Sequence, residues 1–180
     1  LQPNVRLFAD HHVKGIFAQG NYQSESGEFG ELRAYLLARL LWEPEMEADA
    51  YYRHMDAFLE GYYGQGWRYI RKYIDYVQEI VLDSSASNRG TPTEILPPER
   101  FDLKLAKSWW DRAEALADSP QKRAHIEKSR LQLLHWELFR DGHTDPKDEK
   151  AQAFYALLKK HRITHLNEGA AVPVPCCGVQ

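Results

Sequence analysis

Five consecutive residues, Gln19, Gly20, Asn21, Tyr22 and Gln23, are the best placed in this chain to bind something. The Gln and Asn amides each offer a donor and an acceptor, the pairing that a sugar hydroxyl needs, and Tyr22 adds a ring that can stack on a sugar face. They follow VKGIFA, residues 13–18, a compact apolar run of the kind found in a strand buried on both faces. If residues 13–18 are a strand of an α/β barrel, these five lie at its C-terminal end, where such barrels carry their sites. The plainer alternative is an ordinary polar loop between a strand and a helix.

Other chemistry is less well supported. Hydrolysis of a glycosidic bond needs two carboxyl groups roughly 5–10 Å apart. The nearest acids are Glu25, Glu28 and Glu31, but Glu28 and Glu31 are explained by the positive end of a helix dipole. No catalytic residue is assigned. His161, His165 and Glu168 superficially suggest metal ligation, yet the pair has no third ligand at a recognised spacing, so neither metal nor cofactor is expected. His11 and His12 end a helix, where cations complement the dipole. No phosphate-binding glycine loop or nucleophile elbow occurs.

The elements that must position these residues follow from periodicity. Residues 3–11 read as a short helix opened by Pro3. Residues 28–42 form an amphipathic helix with Phe29, Leu32, Leu36 and Leu40 on one face, ended by Pro44. A helix capped by Asp49 carries Met55, Phe58, Leu59, Tyr62 and Tyr63, and after Gly64 and Gly66 another carries Trp67, Ile70, Tyr73 and Val77. The stretch DSSASNRGTPTEILPP, residues 83–98, reads as a linker. Helices at 99–118 and 120–140 then pair as an antiparallel hairpin, followed by a helix at 146–160, RITHL as a short strand, and a disordered tail.

Composition narrows the partners. With 180 residues and 43% hydrophobic content the chain can bury a sizeable core. A net charge of −3 without a basic run argues against nucleic acid, and no apolar segment approaches a membrane span. Cys176 and Cys177 are adjacent, so a mutual disulfide is disfavoured and they leave the compartment open. The chain begins with Leu1 and has no signal-peptide pattern, which leads us to expect a piece of a longer protein.

The segments FADHHVKGIFAQGNYQ, GEFGELRAYLLARLLW and FLEGYYG resemble the closing part of a bacterial family of unknown function, whose members are similar to (β/α)8-barrel glycoside hydrolases. One branch acts as N-acetylglucosaminidases on N-glycans. WWDRAEALADSP and LLKKHRITHLNEG resemble the same family's helical extension. The resemblance implies a mainly α chain: the last strand and helix of a (β/α)8 barrel, then a C-terminal helical bundle. Residues 1–45 would end the barrel (helix, strand 13–18, helix 28–42), with a helical extension at 46–82, a linker at 83–98, a helical region at 99–168 and a disordered tail at 169–180. The implied partners are a carbohydrate ligand and the missing N-terminal part of its own barrel. Ala18 stands where family members often carry Glu, and the family's main acids would lie on earlier strands, so this chain alone is expected to be silent. The alternative is a non-catalytic, all-α interaction or scaffold module.

Overall fold

The computed structural model describes residues 1–19, 29–83, 90–143, 145–167 and 170–171. Among them the chain is mainly helical: α1 (Gln2–Asp10), α2 (Gly30–Trp42), α3 (Ala48–Tyr63), a 3-10 turn (Gly64–Gly66), α4 (Trp67–Leu82), α5 (Pro92–Ile95), α6 (Leu103–Ala115), α7 (Pro120–Asp141) and α8 (Glu149–Lys160). A small antiparallel pair, β1 (His165–Asn167) with β2 (Ala170–Ala171), follows.

The helix boundaries have local causes. Asp102, Ser119 and Asp148 each cap a helix by accepting from a backbone N–H of the first turn, satisfying donors that the helix leaves free. Asp49 does not cap α3; the N-cap is Glu47, and Asp49 sits inside the first turn. Two helices stop through a left-handed residue other than glycine. His12 adopts φ 57°, and the Val13 N–H reaches the Phe8 carbonyl; Arg162 adopts φ 55°, and the Ile163 N–H reaches Leu158. The second stop brings Ile163 into an apolar cluster with Leu158, the contact that accompanies this motif.

The main core joins α2, α3, α4, α6 and α7 around Trp110, which is fully buried. Phe29 and Tyr73 pack on its indole at ring-centre distances of 6.2 Å and 5.2 Å. The stretch expected as a linker, 83–98, connects two helices that pack against one another, and it is not structureless where described. Thr91 and Glu94 form a capping pair, with the Thr91 N–H 2.6 Å from the Glu94 carboxylate, which starts α5. Leu96 then packs on the main core, and its carbonyl accepts from Trp136 Nε1 at 2.9 Å. Ala170–Ala171, inside the tail expected from 169 onward, supply β2.

Residues 13–18 have no regular structure and no β partner among the described residues. A strand is defined by backbone hydrogen bonds to a neighbour, and nothing in the described chain supplies them. Phe17 is 91% exposed here, and Val13 and Ile16 are also open to solvent.

The turn between α3 and α4 lies close against the backbone of α6. A Cβ on Gly66 would lie 2.5 Å from the Ala113 carbonyl oxygen and 2.8 Å from its Cα. Backbone cannot retreat as a side-chain tip can, so Gly66→Ala is expected to cost about 1–3 kcal/mol. Gly61 has open space around its Cβ position, and Gly61→Ala within α3 should be neutral or stabilising by up to about 1 kcal/mol. Thermal unfolding of both variants checks the contrast.

Candidate functional site

Of the five residues singled out as a binding loop, Gln19 is described and exposed; Gly20, Asn21, Tyr22 and Gln23 lie outside the described residues, as do Glu25 and Glu28. His161 Nε2 lies 2.7 Å from Glu127 Oε1, an α8-to-α7 tie, and His165 Nδ1 lies 2.9 Å from Thr164 Oγ1. Among the described residues, no group of three or more His, Cys, Asp or Glu is placed to hold a metal ion, and no helix is long and apolar enough to cross a membrane.

A site the sequence reading did not identify lies where α3 crosses α7. An open cleft of about 600 Å³ is lined by Tyr35 of α2, by Phe58, Gly61 and Tyr62 of α3, and by Lys122 and His125 of α7. Two hydrogen bonds fix the crossing. The buried Tyr63 hydroxyl is 2.7 Å from Ser129 Oγ, and His125 Nδ1 is 2.9 Å from the Tyr62 carbonyl in the last turn of α3. That carbonyl is one the helix leaves without a partner, so the imidazole completes the helix end. The aromatic rings form a continuous wall: Tyr35 to Phe58 and Phe58 to Tyr62 at 5.2 Å, then Tyr62 to His125 at 3.8 Å, nearly parallel.

Behind this wall lies an ion pair. Lys128, only 6% exposed, donates to Glu31, and the Tyr62 hydroxyl joins them. Burial alone would raise the Glu31 pKa; the hydrogen bonds from Lys128 and from backbone outweigh it and hold the carboxyl below its ordinary 4.5. Burial likewise opposes the charge on Lys128, yet Glu31 and Tyr62 leave its pKa above the ordinary 10.5. The Tyr62 phenol is pushed up, first by burial and then by the Glu31 carboxylate. Glu31 thus has a job besides favouring the helix dipole: it neutralises a lysine from a helix nearly a hundred residues away.

The signal for this cleft was present as spacing. His54, Phe58 and Tyr62 recur every four residues on α3, as do Gln121 and His125 on α7. Read alone, each stripe is an amphipathic face. Only the crossing of α3 with α7 turns the two into one site.

With this geometry in place, comparison with known proteins adds one match. A family model described as Domain of unknown function (DUF4838) matches residues 1–75, which take in α1, α2, α3 and the first half of α4. That supports similarity to a family of unknown function over this part of the chain. Neither a curated protein nor a solved structure matches.

The ion pair gives stability a dependence on pH at both ends. Glu31 has a lowered pKa when folded, so its contribution is complete above about pH 4.5 and is lost as pH falls through the lowered value. Lys128 has a raised one, so its contribution is complete below about pH 10.5 and is lost as pH rises through the raised value. Denaturant unfolding across pH should show Glu31→Gln flattening the acid arm. Lys128→Met should cost about 1–3 kcal/mol at neutral pH, between the values for exposed and fully buried pairs, because Glu31 is one-third exposed.

Proposed function

We propose that this chain is the C-terminal segment of a glycoside hydrolase-like protein that acts on or binds N-acetylglucosamine-containing or related glycans, and that it is inactive by itself. Residues 1–45 would close a (β/α)8 barrel whose earlier strands carry the catalytic acids, and residues 19–23 would line the barrel mouth. The observation that carries this reading is where apolar surface is left open. Phe17 is 91% and Trp42 86% exposed, and Leu7, Phe8, Val13, Ile16 and Leu41 are also open. With Leu1 they make eight of the fourteen large apolar residues exposed among the described residues, and the two most exposed of all, Phe17 and Trp42, both lie in this first stretch, within the part that matches the family model. An apolar surface of that kind marks a face that another structure covers. An unpaired apolar segment at 13–18 is what a barrel strand becomes without its neighbours.

A second reading, a non-catalytic all-α interaction or scaffold module, is favoured by the core that α2, α3, α4, α6 and α7 build around Trp110 without residues 1–19. The test is Asn21→Ala with Tyr22→Ala in the protein that carries the whole barrel. Glycan affinity should fall about tenfold or more as two hydrogen-bonding or stacking groups are lost. Unchanged glycan binding would sink the assignment of residues 19–23.

A further inference from the structure

From the C-terminal end of α2 we infer that this chain pairs with a second copy of itself, the two related by a two-fold axis beside Leu41 and Trp42. The inference goes beyond the barrel reading and does not rest on it. Trp42 is 86% and Leu41 43% exposed, next to one another in the last turn of α2. Ala38, one turn earlier, is exposed as well, and its small side chain lets another backbone come close. Trp and Arg are the residue types that most often anchor protein interfaces, and here an Arg stands one turn from the Trp.

The charges around Trp42 are unpaired on both sides. Arg39 Nη2 lies 3.1 Å from His54 Nε2, and Arg39 takes part in no ion pair among the described residues. Its Nε is buried without a hydrogen-bond partner. His54 therefore holds the guanidinium in place, and nothing neutralises it. On the other side of Trp42 come Glu43 and Glu45, both exposed and neither in an ion pair among the described residues. Glu47 and Asp49 have a local reason to be acidic, because they stand at the positive N-terminal end of α3. Glu43 has the opposite setting: it is the C-cap of α2, where the helix dipole disfavours a negative charge. Arg39 and Glu43 are four residues apart, with the cation first, which is the weaker orientation for a pair within one helix.

A second copy supplies what each side lacks. When two α2 helices cross antiparallel about an axis near residue 41, residue 39 of each faces residue 43 of the other. Arg39 of one copy then meets Glu43 and Glu45 of its partner, and symmetry makes the contact twice. Trp42 and Leu41 lie between the two charged contacts, giving an apolar centre with a charged rim. An unrelated partner would have to present an acid and a base at matching positions, whereas a second copy carries both.

The test is sedimentation equilibrium on the 180-residue chain, where a monomer–dimer equilibrium is expected. Trp42→Ser should weaken the dimer about tenfold or more. Arg39→Glu should weaken it as much, and so should Glu43→Arg with Glu45→Arg, because like charges then face one another across the axis. The second of these variants changes only exposed residues, so its loss of dimer is not a loss of fold. Mixing the two charge variants should restore association as a heterodimer, with one contact retained and the other reversed in sign. A chain that stays monomeric overturns the proposal, as does a mixture that associates no more than its components. Association that none of these substitutions weakens also overturns it, and assigns self-contact to another surface such as the open Phe17.

Discussion

The contact between Gly66 and Ala113 is the constraint on which the rest of the helical core depends. At this point two backbones meet with no side chain between them. The approach lets α4 and α6 lie close enough for Trp110 to be enclosed by Phe29 and Tyr73. Phe29 sits at the N-terminus of α2, so the start of that helix is tied to the same point. Gly64, two residues earlier, takes φ 68° and turns the chain out of α3 beneath Asp118 and Lys122. The α3–α4 corner therefore holds α6 on one side and the start of α7 on the other.

From that corner the cleft follows. Because α7 begins beside Gly64, its first turns run across the end of α3, and His125 can reach the Tyr62 carbonyl. Farther along, Ser129 meets Tyr63, and Lys128 meets Glu31 on α2. Three helices are thus joined by polar contacts at one crossing, and the aromatic wall lies on its solvent side. Burying a lysine is costly unless it is paired, and the Glu31 pairing makes the position of Lys128 possible.

Much of the helical layout was legible in the sequence. The apolar stripes predicted α2, α3, α4 and α7, and for α2 and α7 the expected bounds fall within two residues of the observed ends, because amphipathic periodicity is a local property. Residues 83–98 were harder. Their Ser, Pro and Gly content suggests a linker, but the Thr91–Glu94 pair starts a turn of helix, and Leu96 is held by Trp136, a residue forty positions away. The cleft was illegible for a similar reason: Tyr35, His54 and His125 are unremarkable singly, and their hydrogen-bond roles emerge only from partners on other helices. Residues 13–18 illustrate the converse. Their composition is that of a buried strand, yet a strand needs a neighbour, and the described chain offers none.

That segment also offers the most direct test of the barrel account. Hydrogen exchange at the amides of residues 13–18 should be compared between the 180-residue chain and the protein carrying the remaining barrel strands. If these residues are the closing strand, their amides exchange freely in the chain alone and become strongly protected once neighbouring strands accept their hydrogen bonds. Equal, fast exchange in both proteins would contradict the account and leave a helical module with an open apolar N-terminal face.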